Sequence, residues 1–189
     1  MRAERLTDMA KIGIILGSTR EDRAGQAIAQ WVADLAHGRN VGDVEYELVD
    51  LKAFDVPVLT TSVIPMAANK KYGDERVQAW SDAIDACDAY IFVTPEYNRS
   101  VPGAFKNAVD SLGAEWVAKP IAYVGYSFSG GIRAVEAWRL VMANFSMTQL
   151  RTQLDISLAT DMTEGEFTPA DFKSEIVANI CAELEEALS

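Results

Sequence analysis

The sequence predicts a three-layer α/β fold, a five-stranded parallel sheet of order 2-1-3-4-5 sandwiched between helices. Three observations predict it. Short apolar runs alternate with helical periodicities about five times along the chain. Most of the runs are apolar throughout, as in parallel strands buried on both faces. Right-handed crossovers between parallel strands then place helices on both sides of the sheet. Five such units suit this strand order better than a longer dinucleotide-binding sheet.

Residues 1–10 read as a loose, flexible leader, and 11–189 as one domain. Lys11-Ile12-Gly13-Ile14-Ile15-Leu16 is a short apolar run ended by Gly17, as in a central strand. Ala27, Ile28, Trp31, Val32 and Leu35 recur at helical spacing, and His37-Gly38 ends that helix. Val44 to Val49 alternates like a half-buried edge strand, and residues 54–72 have no steady period. A second helix runs from about Asp74 to Ala86, with Val77, Trp80 and Ile84 on one side. The third strand, Ala89 to Thr94, leads to a helix over Ala104 to Leu112. Pro120 to Gly125 is the fourth strand, followed by a helix through Val135, Trp138, Leu140 and Val141. A weaker last strand includes Thr152 to Leu158. The terminal helix is expected to start near Thr168-Pro169, with Thr168 as cap and Pro169 in the first turn.

The 189 residues, 49% hydrophobic, favour one domain with an ample core. A net charge of −11 disfavours nucleic acid and anionic membrane surfaces as partners. No apolar run is long enough to span a bilayer, and the first eleven residues lack the apolar core of a signal peptide. A cytoplasmic location is therefore expected. Cys87 and Cys181 lie far apart and read as small buried hydrophobes. Two cysteines and one histidine are too few for a zinc site of ordinary spacing.

Three loops fall at the carboxyl ends of predicted strands, where open parallel sheets bind ligands. The first, Gly17-Ser18-Thr19-Arg20 onward to Gln26, opens a helix. Helix amino ends offer free N–H groups and a positive dipole to a phosphate. Ser18 and Thr19 add hydroxyls, and Arg20 adds a charged fork. Glu21 and Asp22 would oppose an anion and are expected to face water. The loop matches neither the phosphate-binding NTPase pattern nor GxGxxG. The bland reading is a capped turn with a solvated arginine.

The second loop, Thr94-Pro95-Glu96-Tyr97-Asn98-Arg99-Ser100-Val101-Pro102-Gly103, is stiffened by two prolines. Fixed N–H groups between them suit the polar edge of a flat heterocycle. Tyr97 offers a ring face or an interface residue, and Asn98 both donates and accepts. The third, Tyr126-Ser127-Phe128-Ser129-Gly130-Gly131, has paired glycines that permit close backbone approach. Beside the other two, it is placed to donate N–H groups to the same ring. Together the loops suggest a phosphorylated planar ligand, and FMN fits both halves.

These segments resemble those of the NADPH-dependent FMN reductase family, a flavodoxin-like group of quinone, azo and flavin reductases. The matching text is GSTR, PEYNRSVPGAFKNAVD and YSFSGGIRAVEAWRLV, in order from about Lys11 to Met142. The resemblance implies FMN as cofactor and NADPH or NADH as hydride donor. It also implies a small-molecule electron acceptor, chemistry at flavin N5, and a homodimer or homotetramer. By motif position, Ser18, Arg20 and Gln26 align with the phosphate loop. Pro95, Glu96, Tyr97 and Asn98 align with the flavin-ring loop, and Ser127, Gly130 and Gly131 with the third. Arg23-Ala24-Gly25-Gln26 departs from the Ser or Asn that many relatives carry late in the first loop.

A flavodoxin, an electron carrier without its own NAD(P)H activity, is the alternative, though GSTR and PEYN fit it poorly. A receiver domain lacks its acidic pair after the first strand. His37 reads as a solvated helix end, and Trp31, Trp80 and Trp138 as packing residues. Trp116 is the better candidate for a pocket or interface. With Tyr97, Arg99 and Val101, it is expected at a two-fold contact that walls part of each substrate pocket.

Overall fold

The computed structural model describes residues 9–39 and 43–189. Five parallel strands form one sheet in the order β2-β1-β3-β4-β5. They are β1 (Ala10–Leu16), β2 (Val44–Asp50), β3 (Ala89–Pro95), β4 (Pro120–Ser127) and β5 (Thr148–Ser157). The helices are α1 (Ala24–His37), α2 (Glu75–Asp85), α3 (Gly103–Asp110), α4 (Ile132–Ala143) and α5 (Phe172–Leu188).

Side chains of the central strands alternate between two apolar cores, as the pleat requires. Ile12, Ile14, Leu16, Ile91, Val93 and Val124 point to the layer of α1 and α5. Ile15, Tyr90, Phe92 and Tyr123 point the other way, into Trp80, Phe105, Trp116 and Trp138. That second core is aromatic. Phe92 packs edge-on against Trp138 and Trp116, with ring centroids 5.3 and 5.8 Å apart. The Trp138 indole N–H donates to Thr94 Oγ1 at 3.0 Å, which seats α4 against the end of β3.

Trp116 is fully buried in this core and donates its indole N–H to Val109 O at 3.2 Å. The expectation of a pocket or interface role for Trp116 is therefore corrected. Its neighbours Tyr90 and Phe92 turn inward by strand alternation, and Trp116 fills the space beside them. Leu140 is 81% exposed. The buried stripe of α4 is Ala134, Val135, Trp138 and Met142. Two residues beyond Trp138 the helix has turned by about 200°, which faces Leu140 outward.

β5 begins at Thr148, earlier than expected, and a register shift opposite Ile121 and Tyr123 divides it. That irregularity blurs the sequence periodicity. A two-stranded hairpin, β6 (Met162–Thr163) and β7 (Glu166–Phe167), precedes α5 and was not expected. Glu164 and Gly165 turn it with φ of 53° and 89°. Thr168 is held by the hairpin: its N–H donates to Asp161 O at 2.9 Å, and its hydroxyl meets that of Thr163. Thr168 is thus no helix cap, and α5 starts at Phe172. Ala10 already belongs to β1, and residues 1–8 of the expected leader lie outside the described residues. No helix is long and apolar enough to cross a membrane among the described residues.

Candidate functional site

The loops after β1, β3 and β4 meet at one end of the sheet around an open cavity of about 250 Å³. Ser18, Arg20, Pro95, Glu96, Tyr97 and Ser127 line it, all six singled out from sequence. Gln26, Asn98, Gly130 and Gly131 do not line it. Arg23, Tyr126, Phe128 and Leu158, to which the sequence reading gave no site role, do.

Gly17 N–H donates to Val93 O at 3.0 Å, after which the first loop leaves the sheet. Ser18 is 1% exposed, whereas Arg20 faces solvent at the rim. Asp22 adopts φ 45° and turns the chain toward α1. No side chain caps α1 at Arg23, and the Ala24 and Gly25 amides find no acceptor among the described residues. The N–H groups of Thr19 to Asp22 likewise find no acceptor among the described residues. Nor does the Arg20 guanidinium make a hydrogen bond or ion pair among them.

Arg23 is committed instead. Its Nη1 donates to Asp50 Oδ1 at 2.9 Å, its Nη2 bonds the other carboxylate oxygen, and it also reaches Ser18 O. This half-buried fork staples the first loop to the end of β2. Glu21 bonds Lys52 at 2.7 Å in solvent, and that hydrogen bond holds its carboxyl below the usual range. Gln26 is exposed on α1, and its backbone N–H closes a turn on Arg23 O.

The second loop is a tight hairpin turn. Tyr97 and Ser100 exchange two backbone hydrogen bonds of 3.0 Å. Between them Asn98 and Arg99 take φ of 50° and 68°, the mirror-image turn that asparagine tolerates. Two amides expected as ligand donors, Tyr97 and Ser100, are thus spent. A third, Glu96 N–H, donates to Tyr126 O at 3.0 Å. The Glu96 carboxylate accepts from Arg133 N–H at 3.1 Å and Arg133 Nη1 at 2.7 Å, which ties this loop to the start of α4. The Tyr97 hydroxyl meets Ser18 Oγ at 3.0 Å and joins the first two loops.

The third loop closes on itself. Ser127 Oγ accepts from Ser129 N–H and Gly131 N–H, both at 3.0 Å, and Ser127 O accepts from Gly130 N–H. Gly130 and Gly131 have φ of 94° and 79°. A Cβ on Gly131 would lie 2.3 Å from Tyr126 N, so glycine is what lets α4 begin against β4. The expected donors of this loop are used to shape it.

The arrangement combines an unpaired guanidinium, a run of free amides at a helix amino end and two hydroxyls. Tyr126 adds a buried hydroxyl without a hydrogen-bond partner. Burial pushes that phenol up from its ordinary pKa, so it stays a neutral donor. These groups suit a phosphate ester, and Pro95 and Tyr97 supply a flat wall beside it. The residues present therefore fit FMN. Among the described residues, no group of His, Cys, Asp and Glu is arranged to hold a metal ion.

Comparison with known proteins gives the family. Residues 10–161 match the model of the NADPH-dependent FMN reductase family. An NAD(P)H-dependent FMN reductase of Nectria sp. is 38% identical over 82% of this chain and 79% of that protein. One from Schizosaccharomyces pombe is 32% identical over 85% and 80%. A quinone reductase of Pseudomonas putida is 29% identical over 65% and 62%. In structure, the flavoenzyme NAD(P)H:(acceptor) oxidoreductase FerB of Paracoccus denitrificans superposes with TM-score 0.72 at 25% identity, covering 94% of this chain and 98% of FerB. With an FMN-compatible crevice at the sheet's carboxyl edge and a family match over most of its length, the chain belongs to the NADPH-dependent FMN reductase family, enzymes that use FMN with NAD(P)H.

Proposed function

We propose that this enzyme holds FMN by its phosphate at Ser18, Arg20 and the first amides of α1, with the ring system against Pro95, Glu96 and Tyr97. Electrons pass from NADPH or NADH to a quinone, azo compound or free flavin. The observation that carries this reading is the unpaired Arg20 beside uncapped helix amides, in a cavity that also has a flat wall. Bound FMN supplies the two-electron relay between nicotinamide and acceptor. The chain's residues have a narrower task. Arg20 and the helix end neutralise the phosphate. Ser127, Gly130 and Gly131 hold the wall in shape, and Gln26 and Asn98 stay outside the contact. The quinone class is supported by the acceptor named for the Pseudomonas relative.

Purified protein is expected to carry flavin absorbance or gain it on reconstitution, with thermal stabilisation. Steady-state rates with each nucleotide against quinones, azo dyes and free FMN then rank the acceptors. No NAD(P)H oxidation with any of them would leave only the electron-carrier alternative.

The assembly is proposed to be a homodimer or homotetramer whose partner walls the acceptor space. Exposed apolar residues of the irregular segment support it, Val58, Val63, Ile64 and Met66 among them. Sedimentation decides, and a fully active monomer would remove the shared wall. A cytoplasmic location is supported by two buried free thiols, Cys87 and Cys181.

A further inference from the structure

Tyr126 Oη is the one buried side-chain oxygen or nitrogen without a hydrogen-bond partner among the described residues. An unsatisfied buried hydroxyl is costly, so its retention calls for a reason. The phenol is held in place from three sides. Its backbone pairs with Pro95 and Ile156 within the sheet. Gly131, just before α4, lies so close to its backbone that a Cβ there would fall 2.3 Å from Tyr126 N. Above the hydroxyl sits Gly25 of α1, where a Cβ would fall 2.1 Å from the oxygen. The ring therefore aims its hydroxyl at the base of the first loop. Ser18 Oγ adjoins it there, and the charges of Arg23 and Arg20 bear on it. Ser18 Oγ also meets the Tyr97 hydroxyl at 3.0 Å, either oxygen being able to donate.

We propose that Tyr126 is a positioning residue for the FMN phosphate: its O–H donates to Ser18 Oγ, and Ser18 directs its own proton to a phosphate oxygen. A serine hydroxyl has one proton and two lone pairs, so it accepts from Tyr126 while it donates to the ligand. The phosphate thereby takes the single Ser18 proton, at the end of a hydrogen-bond chain that begins at Tyr126. Such a chain favours a phosphorylated flavin over riboflavin. The proposal rests on reading this loop as the phosphate site. The competing account is that the hydroxyl only fills space beneath α1.

Tyr126→Phe deletes one oxygen and keeps the ring. Its ligand-free melting temperature is expected to hold or rise, because an unpaired polar atom is gone. FMN affinity, read by fluorescence quenching, should fall roughly tenfold, with riboflavin affinity unchanged. In a Ser18→Ala background the same change should cost nothing further, since the relay is already cut. Unchanged FMN affinity, an equal loss for riboflavin, or full additivity with Ser18→Ala would each overturn the relay. Arg20→Ala, run alongside, separates the two ideas. If it weakens FMN selectively while Tyr126→Phe is silent, the phosphate site stands and the relay falls. If Arg20→Ala is silent as well, the loop is no phosphate site and the relay falls with it.

Discussion

The loops after β1 and β4 occupy equivalent places at the sheet's carboxyl edge, yet they dispose of their hydrogen bonds in opposite ways. In the third loop, Ser127 collects the amides of Ser129, Gly130 and Gly131, and α4 starts on a satisfied turn. The first loop leaves the amides of Thr19 to Asp22 and the Ala24 and Gly25 amides of α1 without acceptors among the described residues. One is a finished piece of scaffold, and the other is complete only with a ligand. Backbone donors near a binding site are therefore not interchangeable; what matters is whether the chain has already used them.

The sharpest way to break this contrast is Gly131→Ala. It forces a side chain into φ 79° and to within 2.3 Å of Tyr126 N. Denaturant unfolding should show a loss of about 3 kcal/mol. A loss below about 1 kcal/mol would mean that the third loop is not the rigid partner in the comparison.

Arg20→Ala tests the other loop and should have the opposite signature. Ligand-free stability should stay within about 0.5 kcal/mol, because the side chain is exposed and unpaired. FMN binding should weaken by roughly 1.5–3 kcal/mol by titration, with riboflavin binding to parent and variant alike. Equal FMN affinity in both would remove Arg20 from the site.

Ser127→Ala is expected to cost about 1–2 kcal/mol of stability by removing the acceptor shared by two amides. Riboflavin and FMN affinities should move together, since the effect passes through loop shape rather than phosphate contact. A selective loss for FMN would turn the third loop into a direct phosphate binder. Smallest of all, Phe128→Ala should change stability by less than about 0.5 kcal/mol. Phe128 is 78% exposed and its ring supports neither loop. A larger drop in thermal stability would reveal a packing role in an assembly.

Much of the fold was legible because burial writes itself into periodicity. Fully apolar runs such as Ile12 to Leu16 and Ala89 to Val93 could only be central strands, and both are. The hairpin before α5 escaped because its strands have two residues each. Glu164-Gly165 was the available signal, a turn pair too weakly flanked to read. Within the site, the two prolines correctly pointed to a stiff loop but not to where its donors go. Tyr126 stood in plain view at the head of the third motif. Its distinguishing property, a hydroxyl lacking a partner, depends on Gly25 and Ser18 a hundred residues away in sequence.

The sequence by itself determined the layers, the strand order and the three loops that meet at one edge. Those follow from hydrophobic period, turn chemistry and the handedness of crossovers, all of which act locally or along whole elements. Only the tertiary structure decided which polar groups are spent and which are free. It committed Arg23 to Asp50 and Glu96 to Arg133, buried Trp116, turned Leu140 outward, and left Arg20 and Tyr126 Oη without partners among the described residues. The physical reason is that hydrogen bonds and ion pairs are satisfied in space. A residue's type fixes what it can donate or accept, and its distant neighbours fix whether anything remains for a ligand.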